Sequence, residues 1–172
     1  MSVREYSDKK IFVTGISGGG KTTLAQLLVT ESRPFINLDT AFQYDRITDR
    51  NYIITCFNNL PDSFVIDGIF YAVKGNDMDW SIFRNYAELN EVKVVCVVPS
   101  DRQEWERRLK IEKRLGGTGG AIFSNFASFY FIALPTIAYM DIDYYDTCTN
   151  EYISLEELYS RLSWMKFILD YI

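Results

Sequence analysis

The chain has 172 residues, about one domain, and with 48% apolar and 24% charged residues it buries a core rather than staying disordered. It contains no histidine, which excludes His triads, His metal sites and His general bases and leaves carboxylates, Lys and Arg for any chemistry. A formal charge of −5 disfavours bulk attraction to nucleic acid, and three scattered cysteines without metal or redox spacing point to a reducing, cytoplasmic setting.

Residues 1–8 read as a polar tail without the apolar run of a signal peptide. Lys10 to Thr14 predicts a buried strand, and Lys21 to about Thr30 a helix with Leu24, Leu27 and Leu28 on one face. Pro34 breaks that helix and biases Arg33 away from helical backbone. Phe35 to Asp39 reads as a second strand ending in a carboxylate. The stretch from Thr40 to Leu60 carries apolar residues at helical spacing, together with Arg46 and Arg50. Phe64 to Gly68 is a third strand that also ends in an acid, Asp67. A helix from about Trp80 to Asn90 precedes Val92 to Val98, the clearest buried strand.

A charged helix then runs from Ser100 to about Leu115, with Ser100-x-x-Gln103 resembling a capping box, until the glycines of 116–120 interrupt it. The segment from Leu115 to Met140 has no charged residue. It is long enough to cross a membrane, but Pro135, the glycine run, Ser124, Asn125 and Ser128 favour a buried, Phe-rich helix instead. Asp143 to Thr147 gives a fifth strand. Ser154-Leu155-Glu156-Glu157 is a capping box opening the last helix, with Leu158, Leu162 and Phe167 or Ile168 inward. Strand and helix alternate five times, predicting an α/β doubly wound domain with a largely parallel sheet. Ligand chemistry in such a fold belongs at the carboxyl ends of the strands.

The stretch Gly15-Ile16-Ser17-Gly18-Gly19-Gly20-Lys21-Thr22 fits G-x-x-x-x-G-K-[ST] without a mismatch and lies between a strand and a helix. That pattern wraps nucleotide phosphates in backbone N–H groups at a helix N-terminus, with Lys21 reaching the β- and γ-phosphates and the Thr22 hydroxyl on Mg²⁺. Thr23 follows at the helix start. Asp39 lies about twenty residues further on, where a dinucleotide fold places its ribose-binding acid. The glycine spacing is wrong for that fold, because Ser17 stands at its second glycine and Lys21-Thr22 would have no role.

The chain resembles the P-loop nucleoside and nucleotide kinases in four patches. They are Gly15–Thr22; Val65-Ile66-Asp67-Gly68; Val97-Val98-Pro99-Ser100 with Glu106-Arg107-Arg108 and Lys113-Arg114; and Asp146 to Asn150 ahead of Ser154 to Leu158. The resemblance implies one domain with a five-stranded parallel sheet of order 2-3-1-4-5, a lid near 101–120, ATP as donor and Mg²⁺ as cofactor. It places Arg107, Arg108 and Arg114 over the phosphates and Asn150 on the adenine side. Phosphoryl transfer needs in-line positioning and positive charge on the equatorial oxygens, which Lys21, Mg²⁺ and lid arginines would supply. The basic helix is otherwise a solvated face laced with i,i+4 pairs.

On the acceptor side, Asp39 is the candidate base for a hydroxyl and Asp67 the candidate Mg²⁺-water holder. Where adenylate-kinase-like enzymes place an acceptor-binding arginine, this chain has Tyr71. Arg46 or Arg50 would have to substitute for it, while Phe70 and Tyr71 either stack on a base or pack in the core. The expected activity is transfer of the ATP γ-phosphate to a small nucleoside- or nucleotide-like acceptor. The alternatives are a kinase acting on DNA, at a terminal hydroxyl or a hydroxymethylated base, and an NTPase without acceptor.

Overall fold

The computed structural model describes residues 3–37, 49–68, 81–112 and 125–165. Its centre is β1 (Lys10–Thr14), where Ile11, Phe12, Val13 and Thr14 are all buried. Such continuous burial is what a parallel strand covered on both faces requires. On one side of β1 lie β3 (Phe64–Asp67) and then β2 (Phe35–Asn37); on the other lie β4 (Lys93–Val98) and β5 (Ile142–Asp146), all parallel. Register places Val13 opposite Asp67 and Thr14 opposite Cys96, so β1, β3 and β4 finish at one edge.

The fold is α/β with a mostly parallel sheet, and the five expected strands run in the order 2-3-1-4-5. The expected strand count was too low. A sixth strand, β6 (Glu151–Ile153), folds back antiparallel on β5, setting Tyr145 against Tyr152 and Asp146 against Glu151. It is three residues long and half-buried, so no apolar run marks it.

Strand side chains alternate between two cores. Ile11, Val13, Val65, Val95 and Val97 meet Leu24, Ala25 and Leu28 of α1 (Lys21–Leu28) on one face. Phe12, Ile66, Val94, Cys96 and Val98 belong to the larger core on the other face. Helices α2 (Arg50–Asn58), α3 (Ser81–Leu89) and α4 (Arg102–Ile111) pack there through Ile53 and Phe57, Phe83 and Ala87, and Trp105 and Leu109.

Two helix-level expectations are corrected. Leu27 is 65% exposed; the buried face of α1 is Leu24, Ala25 and Leu28, because Ala25 rather than Leu27 turns toward the sheet. The N-cap of α4 is Asp101, not Ser100: its carboxylate accepts the Glu104 N–H at 3.1 Å. Ser154 does cap α6 (Leu155–Arg161), accepting from the Glu157 N–H at 3.0 Å. At the far end of α1, the buried Arg33 donates to the Leu28 carbonyl through Nε and Nη2 at 3.0 and 2.8 Å, stopping the helix before Pro34.

The described part of the uncharged segment, from residue 125 on, packs largely into the core. Phe126, Phe129 and Tyr130 are completely buried, and among the described residues no helix is long and apolar enough to cross a membrane. After an α-turn at 125–128 the chain widens into a π-helix, Phe129–Ala133, before the short α5 (Leu134–Ile137). Pro135 accounts for the widening. It has no N–H and its ring crowds the preceding turn, while the Leu134 N–H goes back five residues to the Phe129 carbonyl. Pro135 therefore has nothing to give Tyr130 in that register, and the Tyr159 hydroxyl donates to the Tyr130 carbonyl instead, at 2.7 Å.

Candidate functional site

The loop leaving β1 turns at the carboxyl edge of the sheet. Its first glycine is a packing requirement: a Cβ on Gly15 would stand 2.5 Å from Val97 Cγ2, and its φ is 148°. Gly20, at φ 94°, is the left-handed N-cap of α1, a conformation an L side chain adopts only at a cost. Between them the Gly19 N–H donates to the Ile16 carbonyl at 2.9 Å, closing the turn.

The start of α1 differs from the other capped starts. Asp49, Asp101 and Ser154 each place a side-chain acceptor on α2, α4 and α6. Gly20 offers none, and the first turn of α1 holds no acidic residue. The first-turn N–H groups, which have no intrahelical acceptor, and the positive end of the helix dipole are thus directed at the loop mouth.

Lys21 is half-buried and folds back so that its ammonium donates to the Ile16 carbonyl at 3.0 Å. The exposed Thr22 hydroxyl donates to Asp67 Oδ2 at 2.6 Å, joining the helix start to the end of β3. Thr23 is exposed beside it. Asp67 is held there by the strand register and by the Gly68 N–H, which donates to the Val13 carbonyl at 3.0 Å. Thr22 and Asp67, 45 residues apart, are thus brought together. Among the described residues no group of three His, Cys, Asp or Glu side chains could hold an ion. Two hard oxygen donors nevertheless suit Mg²⁺, which keeps several waters and takes further oxygens from phosphates.

Three side chains not singled out in the sequence, or given another role there, grip the loop from behind. The buried Trp105 indole donates to the Ser17 carbonyl at 2.8 Å. Arg108 Nη1 lies 3.3 Å from the Gly18 carbonyl and 2.8 Å from Thr147 Oγ1, and Nη2 reaches the Thr147 carbonyl at 3.1 Å. The Thr147 hydroxyl in turn donates to the Gly19 carbonyl at 2.6 Å. Trp105 and Thr147 left no signal beyond an aromatic on a charged helix and a Thr in a polar turn, because both contacts span about ninety residues or more.

Arg107 is 59% exposed and bonds only Glu104 among the described residues. Hydrogen bonding from Arg107 and then Arg108 holds the Glu104 carboxyl at about 2, despite some desolvation. The helix carrying these arginines is fastened through Trp105 and Leu109, both fully buried.

Asn150, expected near the donor's base, is exposed and left-handed at φ 56°, in the turn between β5 and β6. That turn is built on the fully buried Asp146. Its Oδ1 accepts the Cys148 N–H at 2.9 Å and the Thr149 N–H at 3.4 Å, and its Oδ2 accepts Arg161 Nη1 at 2.8 Å. Arg161 also reaches Thr149 Oγ1 at 3.0 Å and pairs with Glu151 and Glu157. Arg50 points between helices, with Nη1 3.4 Å from Ser81 Oγ. Asp39, Arg46, Phe70, Tyr71, Arg114 and the glycines of 116–120 lie outside the described residues. No protein-family model matches the chain, and a search of curated proteins gives no match either.

Proposed function

We propose that this protein is a P-loop, three-layer α/β phosphotransferase that moves the γ-phosphate of ATP to the hydroxyl of a small nucleoside- or nucleotide-like acceptor. The observation that carries the reading is the 2.6 Å contact between Thr22 and Asp67 at the mouth of an uncapped helix. It unites the hydroxyl and carboxylate that this chemistry needs beside a lysine and a ring of backbone N–H groups. Thr22 directly, and Asp67 through water, would hold Mg²⁺, which when bound neutralises charge on the β- and γ-phosphates.

The loop N–H groups and the first turn of α1 bind and orient the phosphates. Lys21 releases the Ile16 carbonyl and places its ammonium on the transferred group, where charge develops. Asp39, two residues past β2 in the sequence, is the proposed base. The acceptor oxygen bonds to the γ-phosphorus, the bond from that phosphorus to the bridging oxygen breaks, ADP leaves, and the hydroxyl proton passes to Asp39. Phe126, Phe129 and Tyr130 are completely buried and offer no face for a base to stack on, which favours a small acceptor over DNA.

Incubation with γ-labelled ATP and Mg²⁺ against nucleosides, nucleoside monophosphates and single-stranded or hydroxymethylated DNA tests this. Label is expected on a small acceptor. Label on DNA alone would move the reading to a nucleic-acid kinase, and label appearing only as free phosphate would replace it with an NTPase.

A further inference from the structure

We infer that Trp105, Arg108 and Thr147 form a collar that sets the loop's peptide planes from outside, and that Thr147 is its positioning residue for phosphate binding. Three successive carbonyls, those of Ser17, Gly18 and Gly19, each meet one side-chain donor of the collar. In a trans peptide the C=O and the next residue's N–H point opposite ways. Fixing those carbonyls outward therefore turns the N–H groups of Gly18, Gly19 and Gly20 inward. Gly19 uses its N–H to close the turn on Ile16; by the same peptide geometry those of Gly18 and Gly20 turn toward the loop's interior.

Glycine makes this control necessary. Gly18, Gly19 and Gly20 have no Cβ to bias their peptides, so without the collar each plane rotates among several wells and the binding geometry must be ordered on contact. Gly18 and Gly20 also leave room for the collar itself. A Cβ on Gly18 would stand 3.1 Å from Trp105 Nε1, and one on Gly20 2.9 Å from Thr147 Cγ2. The glycines thus serve the groups behind the loop as well as a ligand in front of it.

Thr147 is the residue through which the collar is held in register. It follows Asp146, and its own N–H donates to the Val98 carbonyl at 3.0 Å, so the sheet fixes its backbone. Arg161 fixes the turn behind it through the buried Asp146. The last helix, the β5–β6 turn and the phosphate loop are in this way one connected unit. Thr147 touches the loop's carbonyl side, and its effect on a ligand is exerted through peptide orientation.

This inference rests on the loop binding phosphate, so its probe is inorganic tripolyphosphate with Mg²⁺, which has no base to contact the turn. Isothermal titration of wild type, Thr147→Val and Thr147→Ser, below each protein's melting range, measures its Kd; ATP is titrated in parallel. Thr147→Val should bind both about tenfold more weakly, and Thr147→Ser, which keeps the hydroxyl, should bind within about threefold of wild type. Should Thr147→Val fail to fold, Arg108→Gln carries the same expectation through the Gly18 carbonyl. Unchanged tripolyphosphate affinity in a folded variant, with or without a loss for ATP, would overturn the collar's role. Wild type binding neither probe would overturn the phosphate reading itself, and the collar with it.

Discussion

The two edges of this sheet carry polar clusters built on opposite plans. At the amino edge, Asp143 near the start of β5 is closed on every side. Arg4 Nη1 lies 3.1 Å from it, the Tyr6 hydroxyl donates at 2.6 Å, and Lys93 stands at 3.0 Å while also pairing with Asp141 at 3.4 Å. Arg4 additionally covers the Tyr152 ring at 4.0 Å. There an acceptor has drawn in its donors, and the result ties the N-terminal segment to the sheet. At the carboxyl edge the loop's carbonyls are closed from behind, while among the described residues no side chain caps the backbone N–H groups that open α1. Saturated acceptors make structure; donors arrayed without an acceptor make a place for an anion.

The sharpest way to break that contrast is Lys21→Met. Removing the side-chain ammonium at the loop should lower label transfer at least about a hundredfold, as loss of a transition-state donor does, while the melting temperature moves little. Equal loss of stability and activity would make Lys21 another structural tie, like Lys93. Next in size is Asp146→Asn, which halves a buried charge pair on which the carboxyl-edge turn is built. It should cost about 2–4 kcal/mol in urea unfolding, below the penalty of a fully enclosed pair because Arg161 keeps other partners.

The smallest expected effect is at the amino edge. Burial works to raise the Asp143 carboxyl, but hydrogen bonds from Tyr6 and Lys93 and the charges of Lys93 and Arg4 overcome it and hold it below its usual range. A carboxyl depressed in the folded state contributes stability that is complete above its unfolded value. That contribution is lost as pH falls from about 4 through the folded value. Asp143→Asn should therefore lower the urea midpoint at pH 6 by an amount equivalent to about 1–2 kcal/mol, with the gap to wild type narrowing by pH 3. A gap independent of pH would show that packing, not charge, holds this edge.

The elements that were readable in the sequence are those governed by local rules. β1, its glycine loop and α1 announce themselves because close backbone approach and left-handed geometry restrict residue type at fixed positions. The Ser154 cap is equally local. Where two cap residues compete, as Ser100 and Asp101 do, spacing alone does not decide; the carboxylate of Asp101 took the Glu104 N–H. β6 escaped because Glu151–Ile153 owes its strand state to pairing with β5, not to its own pattern. The collar escaped for the same reason: Trp105 meets Ser17 and Thr147 meets Gly19 only after the strands are in register. Thr22 and Asp67 were nameable as a pair because one lies at the opening and the other at the close of a recognisable element, and parallel sheet geometry then leaves them little choice of neighbour.

The π-helix at Phe129–Ala133 also constrains how this chain can change in length. A π-turn carries about one residue more than an α-turn, so deleting one residue there would restore ordinary helical spacing. Because the wider turn absorbs that residue, the turns on either side would keep nearly the phase they have now. The contact at stake is local: Tyr130 lies within the π-turn, and its buried hydroxyl donates to the Val97 carbonyl beside Gly15. The extra residue therefore leaves the phase of the flanking turns unchanged. A deletion that kept Tyr130 in place would leave seated the strand end against which the loop begins, and loss of Tyr130 would unseat it.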